Sequence, residues 1–156
     1  MASQPYKILI VAPSWVGDMV MAQPLFMRLH QLHPGLLLDV LAPAWTLPLL
    51  ARMAEVHEAI ANPFGHGEFK LAARHDLGKI LHQKQYNQAI VLPNSWKSAL
   101  VPFFAGTPRR TGYRGEMRWG LLNDARKLDK EKLPLMVERF VALAERPGNP
   151  LPDPIP

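Results

Sequence analysis

The chain has 156 residues and a mass of 17.6 kDa, enough for one domain with its own core and too little for two of ordinary size. It is 48% hydrophobic and 20% charged with no cysteine, a globular composition that excludes disulfides, thiolate chemistry and cysteine-ligated zinc. The net charge of +5 is concentrated in residues 97–132, with nine basic against four acidic side chains, and a basic surface attracts polyanions without saying which kind.

Residues 1–7 show no basic start followed by a long apolar stretch, and no window reaches the roughly 18 apolar residues of a membrane span, so a cytoplasmic protein is expected. Residues 7–12 read as a first strand, apolar throughout as a parallel strand covered on both faces should be. The chain then passes through Pro13, Ser14, Trp15, Val16 and Gly17 to Asp18. One glycine in this turn is too few for a dinucleotide fingerprint or a glycine-rich phosphate loop. Gly17 still permits positive φ or close backbone approach, and the amides after it lie where a helix N-terminus binds anions. Asp18 in this place has three readings: a helix cap, a ribose ligand or a catalytic base.

Ala22, Leu25, Phe26, Leu29 and Leu32 recur at helical spacing. Pro24 should kink that helix if it begins near Asp18 and is harmless if it begins near Ala22, and Pro34 with Gly35 ends it. A second strand is expected over residues 36–42, a short helix over 45–53 and a brief third strand over 57–61. A turn at 62–67 leads to a helix over 68–84 with Phe69, Ala73, Leu77, Ile80 and Leu81 on one side. Residues 89–92 form another buried strand, after which Ser95 can cap a helix running to Phe104, stopped by Gly106 and Pro108. Residues 110–113 make a last strand and 135–144 an amphipathic helix.

Strands alternating with helices at this spacing predict an α/β fold, a doubly wound parallel sheet of Rossmann-like type. The domain spans 1–146, and residues 147–156, with five prolines, read as a linker or tail. Asn94, Ser95, Lys97 and Ser98 follow a strand end and offer donors on the same rim as Asp18, although capping explains Asn94 and Ser95 equally well. Arg109, Arg110, Arg114 and Arg118, interleaved with Gly, Tyr and Trp, suit a polyanion carrying sugar rings or single-stranded nucleic acid. Of six histidines, His75 and His82 share a helix face by spacing, but no third ligand stands at metal spacing. The competing reading is a non-enzymatic module that binds nucleic acid or anionic membrane through the 97–132 segment.

The blocks at 13–19, 92–106, 109–124 and 135–140 together resemble the ADP-heptose:lipopolysaccharide heptosyltransferases, within them the branch that adds the second inner-core heptose. The resemblance covers nearly the whole chain but reaches only the amino-terminal half of such an enzyme. It implies a GT-B architecture of two Rossmann-like domains, this one holding the acceptor, and an inverting, metal-independent transfer of L-glycero-D-manno-heptose from ADP-heptose without a cofactor. By this resemblance Asp18 is the general base toward the acceptor heptose hydroxyl. Ser14, Trp15, Gly17, Asn94, Ser95, Lys97, Arg109, Arg110, Arg114 and Arg118 then line the acceptor, heptose-Kdo-lipid A. No nucleic-acid partner is implied, and contact with the inner face of the inner membrane is. The donor's phosphate-binding residues are expected in a further domain, so that this length by itself should be inactive.

Overall fold

The computed structural model describes residues 5–63, 70–93, 95–114, 120–147 and 149–156. Among them six strands form one sheet: β1 (Lys7–Val11), β2 (Leu37–Pro43), β3 (Glu58–Asn62), β4 (Gln88–Val91), β5 (Arg109–Tyr113) and β6 (Asp124–Arg126). Their order is β3-β2-β1-β4-β5-β6 and every pairing is parallel. The chain winds outward one way from β1 and the other way from β4, so the switch point of this α/β sheet lies between those two strands.

The helices are α1 (Val16–Leu32), α2 (Leu47–Leu50), α3 (Leu71–His82), α4 (Leu100–Phe104) and α5 (Met136–Ala142). Alternation along β1 divides the core between the two faces of the sheet. Ile8 and Ile10 pack with Met19, Leu25, Phe26 and Leu29 of α1 and Phe140 of α5, whereas Leu9 packs with Leu81 of α3 and Val101 beside it. Each such side chain contributes about 1.5–3 kcal/mol on burial. This two-sided covering is why β1, β2 and β4 are apolar runs instead of alternating ones.

Several expectations shift. The first helix begins at Val16, so Pro24 lies in its interior and removes one ladder bond, to the carbonyl of Val20 on the exposed side of the helix. The expected 45–53 helix divides into a 3₁₀ turn, Ala44–Thr46, and the four residues of α2. The expected beginning of α3 at Glu68 and Phe69 lies outside the described residues, as does His66. Ser95 is not the cap of the next helical stretch: a 3₁₀ turn, Lys97–Ala99, starts after Trp96, and the Ser98 hydroxyl donates back to the Ser95 carbonyl at 2.5 Å. Strand β6 has no counterpart among the expected elements. Residues 149–156 form neither helix nor strand.

Polar side chains secure the β4, β5 and β6 side of the sheet. Tyr6 donates to Gln88 Oε1 at 3.1 Å, Gln88 to Thr111 Oγ1 at 2.9 Å, and Thr111 to Asp124 Oδ2 at 2.8 Å. Arg126, 8% exposed, holds Asp124 at 3.0 Å and the Glu145 carbonyl at 2.7 Å, and Glu145 pairs with Arg28 of α1 at 2.5 Å. The relay thus joins three strands, with Tyr6 just ahead of β1, to Arg28 of α1.

Candidate functional site

The carboxyl ends of parallel strands present loops and helix N-termini to one rim, and ligands of such sheets bind there at the switch point. β1 delivers the turn 12–15 to that rim. Trp15 is the N-cap of α1, with extended backbone (φ −104°, ψ 140°) and no side-chain capping bond. Asp18 therefore stands at the third helical position and not at the cap, which removes the capping reading. Its carboxylate is half-buried in the first turn, where the helix dipole favours a negative charge, and it has no hydrogen-bond or ion-pair partner among the described residues.

Gly17 has ordinary negative φ, and a Cβ built on it would meet nothing within 4 Å. Neither backbone strain nor packing requires glycine there. Trp15, beside it, is 70% exposed and Ser14 half-buried. Across the switch point, β4 leads into Ser95, Trp96 and Lys97, all half-buried, at the same end of the sheet as the turn that carries Asp18. Asn94 lies outside the described residues, and so does Arg118. Arg114 follows the carboxyl end of β5, exposed, with its backbone N–H bonded to the Arg126 carbonyl at 2.8 Å.

Arg109 and Arg110 do not share this rim. They begin β5, in register with Gln88 and Ala89 at the amino end of β4, and so lie on the opposite end of the sheet from Asp18. Arg109 pairs with Asp124 at 3.1 Å. Arg110 donates to the carbonyls of Leu121 at 2.7 Å and Thr107 at 2.8 Å, lies over the Phe103 ring, and burial lowers its pKa. Contrary to the expected single basic rim, these two arginines stand at the other end of the parallel sheet and hold the fold.

Two further side chains stand at this rim that the sequence reading does not single out. Trp45, at the end of β2, is 63% exposed, and an aromatic one turn past a strand end was a usable clue. Arg74, in the first turn of α3, is 7% exposed and donates to the Lys97 carbonyl at 3.2 Å. A lone arginine on a helical pattern gives no hint of that.

Ligating atoms of Asp39, His57 and Glu58 lie within 4.8 Å of one another. Each is already engaged: Asp39 accepts from His57 at 2.9 Å and from the Tyr86 hydroxyl at 2.6 Å, while Glu58 pairs with Lys84 at 2.5 Å. Burial and the bond to Asp39 push the Tyr86 pKa up. The group lies away from the rim and ties α3's exit to β2 and β3. His75 and His82 do not converge: His75 meets the Phe104 ring edge-on, and His82 donates to the Ala105 carbonyl at 2.8 Å.

A family model described as glycosyltransferase family 9 (heptosyltransferase) matches residues 74–154, just over half of the chain. The chain belongs to this family. Lipopolysaccharide heptosyltransferase 2 of Escherichia coli strain K12 is 58% identical over 154 aligned residues, covering 96% of this chain and 44% of its own length. Lipooligosaccharide heptosyltransferase 2 of Haemophilus ducreyi is 55% identical, again over 96% of this chain and 43% of its own. The family 9 chain thus spans less than half the length of these relatives. The solved E. coli ADP-heptose lipopolysaccharide heptosyltransferase II superposes with a TM-score of 0.84 at 57% identity, covering 91% of this chain and 41% of that one. An E. coli heptosyltransferase solved with ADP-2-deoxy-2-fluoro heptose shares the fold, with a TM-score of 0.73 at 22% identity, covering 92% of this chain and 50% of that one. These matches establish the Rossmann-like fold as that of one half of a GT-B glycosyltransferase, and they give no support to a non-enzymatic polyanion-binding module.

Proposed function

We propose that this chain is the acceptor-holding domain of a heptosyltransferase that moves L-glycero-D-manno-heptose from ADP-heptose to the inner-core heptose of lipopolysaccharide. The observation that carries the reading is Asp18: a half-buried carboxylate without a partner among the described residues, in the first turn of α1 at the switch point. In this reading Asp18 takes the proton of the acceptor heptose hydroxyl as that oxygen attacks the donor's anomeric carbon. The bond from the anomeric carbon to the ADP phosphate oxygen breaks with its electron pair leaving on ADP, and configuration inverts. Ser14, Trp15, Gly17, Ser95, Lys97 and Arg114 border the acceptor from the same rim.

The chemistry uses ADP-heptose as a substrate and calls for no cofactor, the donor being held by a companion domain such as the relatives' further length provides. Because the acceptor carries lipid A, the domain works at the cytoplasmic face of the inner membrane in passing contact with it. No helix among the described residues is long and apolar enough to cross that membrane.

The test replaces the matching part of the E. coli relative by this chain and assays transfer. Asp18→Ala should keep the thermal midpoint within a few degrees and lower kcat by about 10²- to 10⁴-fold. A folded Asp18→Ala chimera with undiminished kcat would remove Asp18 as the base.

A further inference from the structure

Two of the chain's four tryptophans, Trp15 and Trp45, stand exposed at the rim, each at the entry to a helix. Trp15 is the N-cap of α1, and Trp45 lies in the 3₁₀ turn Ala44–Thr46 that runs into α2. Leu50 of α2 shares a core cluster with Phe26 and Leu29 of α1, so both helices cover the same face of the sheet. β1 and β2 are adjacent and parallel, with Val11 opposite Leu41. The two indoles thus leave the sheet from neighbouring strand ends, at the end that carries Asp18.

The Trp45 side chain makes no hydrogen bond or ring contact among the described residues, yet the backbone beneath it is firmly held. Thr46 is fully buried and its hydroxyl donates to the Pro43 carbonyl at 2.7 Å, while the Leu47 N–H bonds to the Ala44 carbonyl. Pro43 pairs with Asn62 of β3, and Pro43 and Pro48 fix φ on either side of the turn. A single exposed apolar ring is ordinary on a protein surface. Two on adjoining strand ends, one of them on a turn fixed by buried bonds, leave apolar area that folding does not use and a ligand can cover. Tryptophan has only two rotatable side-chain bonds, so little freedom is lost when it does.

We propose that Trp45 is a further acceptor-binding residue, whose ring stacks on the C–H face of an acceptor sugar and shares the holding of that sugar with Trp15. A pyranose carries C–H groups on its faces and hydroxyls around its edge, so the electron-rich indole face covers the apolar side and leaves the edge hydroxyls to Asp18. Such a contact is equally strong before and during transfer, so it acts on acceptor binding and not on the chemical step. The inference rests on the acceptor reading of the domain.

Trp45→Ala and Trp45→Phe test it in the 156-residue chain, by calorimetric titration with a deacylated heptosyl-Kdo oligosaccharide, and in the chimera with the E. coli relative, by steady-state kinetics. Trp45→Ala should keep the thermal midpoint within about 2 °C, weaken binding about tenfold and raise the acceptor KM to match, with kcat and the donor KM within about twofold. Trp45→Phe keeps a ring and should recover most of the loss. Undiminished affinity in Trp45→Ala, beside an unmodified chain that binds, overturns the role of Trp45 and leaves the acceptor reading standing. A loss that falls on kcat or the donor KM with acceptor affinity kept puts Trp45 against the companion domain and overturns the proposal as well. If the unmodified chain does not bind the oligosaccharide, the acceptor reading itself fails and takes this inference with it.

Discussion

Asp124 gathers more partners than any other carboxylate described. Burial by itself would raise its pKa, but the hydrogen bonds from Arg126 and Thr111 and the charges of Arg126 and Arg109 outweigh that and hold it below the usual value of 3.8. A carboxyl group with a depressed folded-state pKa contributes stability that is complete above its unfolded pKa and is lost as pH falls through the folded one. Asp124→Asn should therefore cost about 1.5–3 kcal/mol near neutral pH, where charge-assisted bonds to arginine are lost. Below about pH 4 the gap between the variant and the unmodified chain should narrow, because the carboxyl of the unfolded chain takes up its proton first and the native one follows only at lower pH. Urea unfolding followed between pH 2.5 and 7 reads this directly, and a gap that stays constant across that range refutes the assignment. Tyr113 belongs to the same corner: burial pushes its phenol up to about 12 against the opposing charges of Arg126 and Arg139, and its hydroxyl donates to the Arg139 carbonyl.

Among the elements, the contact of α3 with α4 decides how closely the crossover can pack. Alanine for glycine inside a helix gains up to about 1 kcal/mol by propensity. At Gly78 that gain meets a Cβ only 2.5 Å from Phe104 Cβ and 3.0 Å from the Phe104 carbonyl carbon, so α4 would have to move. Gly78→Ala should consequently destabilise the chain by about 1–3 kcal/mol, measurable as a lower urea midpoint at unchanged slope. A raised midpoint would show that the two helices have slack. This contact also marks the limit of what a single sequence discloses. β1, β2 and β4 were legible because burial on both faces writes an unbroken apolar run, and α1 because one face repeats at helical spacing. β6 was not, since Asp124, Ala125 and Arg126 join the sheet through the Thr111, Asp124 and Arg126 bonds and not through apolar burial. Asp18 was legible as a strand-end carboxylate, while its place at the third helical position needed the backbone. Arg74 could not be found by pattern, because its partner, Lys97, is 23 residues away.

At the scale of the whole molecule, the sheet separates two kinds of positive charge that the sequence runs together within residues 97–132. Charges at the amino end of β5 serve the fold: Arg109 with Asp124, and Arg110 with the Thr107 and Leu121 carbonyls. Arg114, five residues beyond Arg109 in β5's direction, stands exposed at the rim that carries Asp18. An extended strand advances about 3.3 Å per residue, which puts the two arginines roughly 15 Å apart, more than a Debye length in physiological salt. An anion bound at the rim is thus largely screened from Arg109. Arg110→Ala should lower stability by about 1–3 kcal/mol through the two carbonyls left without their charged donor, and leave the affinity for a deacylated heptosyl-Kdo oligosaccharide within about twofold. Arg114→Ala should do the reverse: a thermal midpoint within about 2 °C of the unmodified chain, and an affinity several-fold weaker that loses part of its salt dependence. Thermal melts beside calorimetric titrations at two salt concentrations distinguish these outcomes. Equal losses of affinity in both variants would mean that acceptor contact extends to the amino end of the sheet, and the division of labour between its two ends would fall.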